Sequence, residues 1–183
     1  MSQKDIFAQP ATAWYQKAAT QGDADAQFLL SEMYSRGYAV LEDNKQAQDW
    51  LIKAAVQGQP AAQSRIALHL DVSGNYKEAA DWYQKAAEQG NADAQSSLGS
   101  MYKEGRGVPQ DEMLAATWYR KAAEQGISVA QLNLGFMYDI GQGVPKSDKQ
   151  AAFWYQKAAE QGDNIAQCSL GDKYYSGLGR PQN

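Results

Sequence analysis

The chain has 183 residues, of which 44% are hydrophobic and 21% are charged, and its formal net charge at pH 7 is −4. The negative balance argues against nucleic-acid binding, which requires a basic surface. No run approaches the about 18 consecutive apolar residues of a membrane-spanning helix. A single cysteine, Cys168, rules out an intrachain disulfide. We therefore expect a globular protein that binds no nucleic acid and does not span a membrane.

One phrase recurs along the chain. WYQKAAEQG stands at 82–90 and at 154–162, WYRKAAEQG at 118–126 and WYQKAATQG at 14–22. All five tryptophans occupy this position, at intervals of 36, 32, 36 and 36 residues: Trp14, Trp50, Trp82, Trp118 and Trp154. A fixed period of this length predicts stacked repeats, each burying its apolar face against its neighbours.

Each period contains two helical patterns, here called helix A and helix B. In residues 91–111 apolar residues recur every four positions, which indicates helix A. In residues 111–126, one amphipathic stripe at i, i+3, i+4 and i+7 indicates helix B, formed by Ala115, Trp118, Tyr119 and Ala122. We predict an all-α, right-handed α/α superhelix, or solenoid, of ten helices.

The predicted helices follow in chain order: B 11–21, A 25–36, B 44–57, A 61–72, B 76–89, A 93–104, B 112–125, A 129–140, B 148–161 and A 165–176. We expect a single solenoid domain, 1–183, with these parts: an orphan helix B 11–22, the repeats 23–58, 59–90, 91–126 and 127–162, and a terminal half repeat 163–183.

Local signals mark the helix ends. Asp43, Asn75, Asp111 and Ser147 precede helices B as N-caps. Gln or Glu three residues later predicts a capping box in three of the four cases. The glycine after each helix B suits the left-handed C′ position, and Pro10 fits the first position of the first helix.

Repeat 59–90 lacks the Gly-x-Gly-Val loop and is four residues short. Its turn runs through Ser73, Gly74 and Asn75. We predict either a changed rotation to the next repeat or only a trimmed surface loop.

The residues that recur in every repeat are expected to pack the helices together. We expect the tryptophans to fill the space between adjacent repeats. The residue after the repeated Leu or Ile of helix A is always small, and is glycine at Gly99, Gly135 and Gly171. A glycine within a helix lowers its stability by roughly 1 kcal/mol relative to alanine. Close approach of helix B is the reason we predict for it.

Residues 94–126, AQSSLGSMYKEGRGVPQDEMLAATWYRKAAEQG, resemble the Sel1-like repeat, a relative of the tetratricopeptide repeat. The resemblance covers nearly the whole chain and is closest in 91–126 and 127–162. It implies a scaffold or adaptor that binds a protein or peptide on a concave helix A surface. Family members serve in signalling, protein quality control and contact between bacterium and host, so a bacterial origin is expected.

No catalytic motif stands out. His69 is the only histidine, Cys168 occupies a variable position, and the glycine-rich loops follow helices rather than strands. We expect no enzyme, no cofactor and no metal. A less favoured alternative is enzyme-like binding of cell-wall or β-lactam-like compounds, as in a cysteine-rich branch of the family. That branch has paired cysteines in each repeat, which this chain lacks.

By analogy with tetratricopeptide repeats, positions −5, −2, +2 and +5 from the repeated leucine face the groove. The candidate partner-binding residues are therefore Val129, Leu132, Phe136, Asp139, Ile165, Tyr175, Phe28 and Glu32. Leu132 and Phe136 should then be at least partly exposed, with Tyr175 on the same wall. The alternative is that neighbouring helices A bury these groups.

Two further hypotheses concern assembly and place. The terminal half repeat lacks a following helix B, so either the segment GLGRPQN folds back over it or a second copy covers it as a weak homodimer. No signal peptide is visible, so a cytoplasmic location is the default expectation. A trimmed upstream signal would make the protein periplasmic or secreted, which fits the alternative of an exported bacterial protein that contacts host molecules as an antigen or virulence-associated factor.

Overall fold

The structure is a computed structural model that describes residues 3–38 and 40–177, with side chains from residue 12 onwards. Within these residues the chain forms ten α-helices joined by turns. Their bounds are α1 Gln3–Thr20, α2 Ala24–Arg36, α3 Asn44–Val56, α4 Pro60–Val72, α5 Tyr76–Glu88, α6 Ala92–Glu104, α7 Glu112–Glu124, α8 Ser128–Ile140, α9 Asp148–Glu160 and α10 Asn164–Tyr175. Odd-numbered helices are helices B and even-numbered helices are helices A. Within α1–α4 and within α5–α10 each helix packs on the next, which confirms the all-α repeat architecture.

The predicted bounds of α2 to α10 agree with the structure to within one residue. The start of α1 was predicted wrongly, because the helix begins at Gln3 and Pro10 lies in its interior. Proline removes one main-chain N–H and so one hydrogen bond. That loss does not end a helix whose neighbouring residues include the good helix formers alanine and glutamine.

The chain divides into two compact units, Met1–Gly74 and Asn75–Asn183. The boundary falls in the turn of the short repeat. The first unit contains α1 to α4, and the second contains α5 to α10. The effect of the short repeat on the rotation to its neighbour stays a prediction.

Tyrosine rings pack directly on glycines between helices A and B. A Cβ atom built on Gly99 would lie 2.8 Å from a ring carbon of Tyr119, and one built on Gly135 would lie 2.6 Å from Tyr155. Real side chains do not tolerate such distances. The predicted close approach of helix B is thus confirmed, and it explains why helix A carries glycine at these positions.

Tyrosine, rather than tryptophan, is the buried aromatic residue of helix B. Tyr83, Tyr119 and Tyr155 are at most 2% exposed. Trp118 is buried, but Trp14 is 69% exposed and the other tryptophans are half-buried. The tryptophan neighbours the tyrosine in sequence and therefore points about 100° away around the helix. The expectation that the tryptophans fill the space between repeats holds in part, because half-buried Trp50 and Trp154 pack against core clusters whereas Trp14 is largely exposed.

Three of the four predicted N-caps form. Asp43, Asp111 and Ser147 accept a main-chain N–H through the side chain, whereas Asn75 makes no side-chain capping bond. The capping boxes predicted at Asp43 and Ser147 do not form. The N–H groups of these three caps donate instead to carbonyl oxygens of the preceding helix A: Asp43 to Tyr34 at 3.0 Å, Asp111 to Tyr102 at 2.9 Å and Ser147 to Tyr138 at 2.8 Å. Main-chain atoms therefore close the loop between helices A and B.

The loop glycines also hold repeats together. Gly107 and Gly143 have φ angles of 71° and 67°, in the left-handed region that glycine readily adopts. A Cβ on Gly107 would collide with the main-chain carbonyl of Tyr76, and one on Gly143 with that of Glu112. Each loop is therefore pressed against the first turn of the preceding helix B.

Two alanine substitutions test the role of the helix A glycines. We expect Gly135→Ala to destabilise the protein by about 1–3 kcal/mol, because the added methyl group collides with Tyr155. Gly171→Ala should stabilise it by about 0.5–1 kcal/mol, because a Cβ there meets nothing within 4 Å and alanine favours helix. Urea midpoints measure both changes. Equal shifts for the two variants would contradict the packing argument.

Candidate functional site

Two glutamines per repeat connect three helices in a relay. Gln95 and Gln131, both 4% exposed, donate through Nε2 to the carbonyl oxygens of Ala87 and Ala123, each at 3.0 Å. The glutamine after the following helix B donates in turn to each side-chain oxygen, Gln125 to Gln95 at 2.7 Å and Gln161 to Gln131 at 2.8 Å. This relay fixes the rotation of helix A about its axis, and hence which residues face outward.

Sequence reasoning missed these glutamines. Both recur with the period, in the pairs Ala-Gln of helix A and Gln-Gly after helix B. A glutamine that always precedes or follows fixed letters within a helical repeat is a signal for a buried amide, since an exposed one would vary.

A pair of charge substitutions tests the relay. Gln95→Glu should destabilise the protein by about 1–3 kcal/mol at pH 7, because the Ala87 carbonyl loses its donor and a carboxylate is buried. Gln167→Glu should cost much less, since Gln167 is exposed and its bond to Ala159 is 3.4 Å long.

Burial favours the neutral form of the introduced carboxyl group, whose protonated oxygen can donate. The stability difference from wild type should therefore shrink as the pH falls towards about 4. Thermal melts at pH 7 and pH 4 measure it. A Gln95→Glu defect that does not depend on pH would contradict this explanation.

The outward surface of α8 is an apolar stripe, here called the α8 stripe, of Val129, Phe136 and Ile140. Their exposed fractions are 52%, 37% and 66%. With half-buried Asn133, they recur at i, i+4, i+7 and i+11, which is one face of a helix. Two predicted site residues, Val129 and Phe136, lie in this stripe.

Leu132 does not lie on this surface. It is 7% exposed and packs in a cluster with Ala151, Tyr155, Ala158 and Ala166. The expectation that it is exposed was wrong, because position −2 faces α9 of the same repeat and Ala166 of α10 rather than solvent. Positions −1 and +6, Asn133 and Ile140, take the outward places that sequence analogy gave to −2 and +5.

Phe136 is held by an aromatic contact. Its ring meets that of Tyr155 edge to face, with centroids 5.4 Å apart and an interplanar angle of 79°. One edge of Phe136 is therefore fixed while the other stays accessible, as in a preorganised anchor of a binding surface.

Asp139 belongs to a charged cluster beside the α8 stripe. Lys173 Nζ donates to Asp139, and to Asp148 at 2.7 Å, and the Tyr155 hydroxyl lies 3.3 Å from Asp139. Burial opposes the charged form of Lys173, but the two carboxylates outweigh it and raise the pKa of Lys173. The bond from Lys173 lowers the pKa of Asp148, and burial, followed by the Asp139 charge, raises the pKa of Tyr155.

Next to this cluster lies a concavity of about 290 Å³ between α8 and α10. Its lining residues are Phe136, Asp139, Ser169, Asp172, Lys173 and Ser176. Because Lys173 is neutralised by its two carboxylates, exposed Asp172 gives the concavity an acidic character.

The remaining predicted site residues are dispersed. Ile165 and Tyr175 lie on α10 and are 58% and 97% exposed, but neither lines the concavity. Phe28 and Glu32 belong to the first unit, where both are half-buried. Glu32 pairs with Arg65 at 3.2 Å and borders a concavity of about 260 Å³ there, together with exposed His69.

Among residues 3–38 and 40–177, no helix is long and apolar enough to cross a membrane. The same residues hold no group of three or more His, Cys, Asp or Glu side chains that could bind a metal ion.

Lysine at position 173 stands where other helices A carry buried Met101 and Met137. We expect Lys173→Met to remove the pH dependence that its ion pairs produce. The pKa of Asp148 is lower in the folded protein than its ordinary value of 3.8. Asp148 therefore contributes stability above pH 3.8, and this contribution is lost as the pH falls through the folded pKa. The pKa of Lys173 is higher in the folded protein than its ordinary value of 10.5. Lys173 therefore contributes stability below pH 10.5, and this contribution is lost as the pH rises through the folded pKa.

The melting temperature of wild type, relative to that of Lys173→Met, should therefore be highest between pH 3.8 and pH 10.5. The difference should shift towards the variant below about pH 3. Lys149→Met, an exposed lysine in the neighbouring helix α9, is the control, for which we expect a nearly constant difference. A constant difference for Lys173→Met as well would show that the ion pairs contribute nothing.

Helices packed pairwise in consecutive repeats, tied by tyrosine–glycine contacts and buried glutamines, define a helix-pair repeat protein. The profile described as Sel1 repeat matches residues 8–23, 24–59, 60–91, 92–127, 128–163 and 164–183. The chain belongs to the Sel1 repeat family.

Two solved bacterial structures are similar over most of this chain. A protective antigen of uropathogenic Escherichia coli, which displays an SLR fold, is 39% identical with a TM-score of 0.83, covering 96% of this chain and 38% of that one. A Sel1 repeat protein of Oxalobacter formigenes is 39% identical with a TM-score of 0.83, covering 90% of this chain and 49% of that one. This chain thus spans less than half the length of either.

A curated protein is similar over a shorter stretch. Chitin synthase regulatory factor 3 of Schizosaccharomyces pombe is 41% identical over 56 residues, which is 31% of this chain and 6% of that protein.

Proposed function

We propose that the protein is a non-catalytic scaffold that binds a protein or peptide on the helix A surface of its second unit. The α8 stripe is the observation that carries this proposal. Exposed apolar side chains aligned along one helix favour an interaction site, because monomers rarely leave contiguous apolar surface in water.

The surroundings of the stripe suggest the chemistry of the partner. Helices A on both sides adjoin α8, since Lys103 of α6 donates to Asn133 and Lys173 of α10 to Asp139. These flanking helices expose carboxylates, Asp93 on α6 and Asp172 on α10, whereas Glu104 of α6 is paired with Arg106 at 2.7 Å. A segment with aliphatic or aromatic anchors and basic flanking residues is complementary to this surface.

Two variants of the stripe test the proposal. We expect Phe136→Asp and Ile140→Asp each to weaken partner binding by about tenfold or more, since either puts a charge into the apolar contact. Phe136→Asp also removes the contact with Tyr155, so Ile140→Asp, which is 66% exposed, separates binding from stability. Phe153→Asp is the control, because Phe153 is a 47% exposed phenylalanine on helix α9, a helix B.

The measurement is affinity capture from the source cell with wild type and the three variants as bait, followed by titration of the captured partner. Melting temperatures monitor folding. A partner retained by wild type and Phe153→Asp but lost by both stripe variants is the expected result. Binding that is unaffected in both stripe variants while the melting temperature stays at the wild-type value would refute this site.

A second candidate is an exported bacterial protein that contacts host molecules. The similarity to the protective antigen of uropathogenic Escherichia coli favours it. The two candidate functions use the same binding surface and differ in cellular location. Fractionation of the source cell distinguishes them, with cytoplasmic recovery expected for the intracellular scaffold and periplasmic or extracellular recovery for the alternative.

A further inference from the structure

The repeat 23–58 departs from the tyrosine–glycine packing of the second unit. Leu51 of α3 stands where the repeats 91–126 and 127–162 carry the buried tyrosine. Ser31 of α2 stands where they carry the glycine beneath the tyrosine ring. The concavity of about 260 Å³ in the first unit opens at this position, and both side chains line it.

This concavity has a buried floor and a polar rim. Ser31, Ala47 and Leu51 line it and are 3%, 8% and 6% exposed. Arg65 and His69 of α4 line its rim. We call this concavity, with these five residues, the α3 pocket. Pockets for drug-sized molecules measure about 300–1,000 Å³, so a volume of about 260 Å³ suits a ligand with a single ring.

His69 takes part in the rim because it is not packed inward. It occupies the helix A position of Met101 and Met137, which are at most 1% exposed, whereas His69 is exposed. Its imidazole offers a hydrogen-bond donor at the mouth of the α3 pocket, where methionine would offer none.

The charges at the rim favour an anion. Among the residues that line the α3 pocket, Glu32 is the one carboxylate. It pairs with two guanidinium groups, Arg36 Nη2 at 2.8 Å and Arg65 Nη1 at 3.2 Å. One positive charge is therefore left over at this rim, in a chain whose formal net charge is −4.

The geometry points to a binding site for a small aromatic acid, a single aromatic ring bearing a carboxylate, in the α3 pocket. The ring lies on Ala47 and Leu51, and the carboxylate accepts hydrogen bonds from Arg65, whose guanidinium has five N–H donors. The Ser31 hydroxyl donates its proton to the Phe28 carbonyl at 2.8 Å, so its oxygen can accept one from a phenol.

A free acid and the C-terminal aromatic residue of a peptide both offer this chemistry. The site lies in the first unit, away from the α8 stripe, and does not depend on the proposed function.

Calorimetric titration of the 183-residue chain at pH 7 tests the site. The probes are para-hydroxyphenylacetate, the corresponding uncharged alcohol, and the tripeptide Gly-Gly-Tyr with its C-terminal amide as control. We expect wild type to bind para-hydroxyphenylacetate with a Kd of about 1 mM or tighter. The alcohol should bind about tenfold more weakly, because it lacks the charge that Arg65 recognises.

Two arginine variants separate a local contact from general charge. Arg65→Gln should weaken binding of the acid by about tenfold and leave binding of the alcohol unchanged. Arg36→Gln is the control, because Arg36 pairs with the same Glu32 carboxylate but does not line the α3 pocket. It should leave the affinity for the acid nearly unchanged. Melting temperatures establish that both variants are folded.

A third variant fills the pocket with the chain's own ring. Ser31→Gly/Leu51→Tyr restores the glycine and tyrosine of the repeats in the second unit. It should fold as wild type does and bind neither the acid nor the alcohol. If it does not fold, the comparison of the two arginine variants still decides.

Binding of the free acid alone supports the site with a small molecule as its ligand, and equal binding of Gly-Gly-Tyr but not its amide supports it with a peptide C-terminus. A wild type that binds neither acid at about tenfold above the expected Kd overturns the proposal. Equal losses of affinity in Arg65→Gln and Arg36→Gln overturn it as well, and so does a folded Ser31→Gly/Leu51→Tyr variant that binds like wild type.

Discussion

The contact between a tyrosine ring of helix B and a glycine of the preceding helix A sets the distance between the two helices. At Gly99 and Gly135 even one methyl group would lie inside van der Waals distance of the ring. The alanines that line helix B can fill the interface only because the helices approach so closely, and Ala115, Ala122 and Ala151 are fully buried as a result. The inward face of each helix A is thereby fixed, and its outward face is fixed with it.

Periodicity predicted the helices of this fold accurately, because each boundary also carries a local chemical signal, such as an N-cap side chain or a glycine with positive φ. The boundary signal was misleading at α1, because Pro10 is typical of a helix start but lies inside the helix. It also could not distinguish tryptophan from tyrosine as the core residue. The two stand side by side at residues 14–15, 82–83, 118–119 and 154–155, and only the packing angle between helices decides which of two adjacent side chains points inward.

The candidate site was predicted in part for the same reason. Val129 and Phe136 were placed on the outward surface correctly, whereas Leu132 was exchanged for its neighbour Asn133 and Ile140 was missed. This error corresponds to a rotation of α8 by a fraction of a turn. The rotation is set by contacts on both sides of the helix, including the buried Gln131, a signal that the analogy with tetratricopeptide repeats does not use.

The glutamine relay has a consequence for how the second unit comes apart. Gln95 and Gln131 each donate across a repeat boundary, to the carbonyl oxygens of Ala87 and Ala123, so opening one repeat leaves a buried polar group of its neighbour without its partner. Such a penalty raises the interfacial free energy between adjacent repeats relative to the intrinsic stability of each one. In a linear array this coupling favours concerted unfolding over fraying from the ends, which gives the repeats of this unit one common stability instead of a gradient.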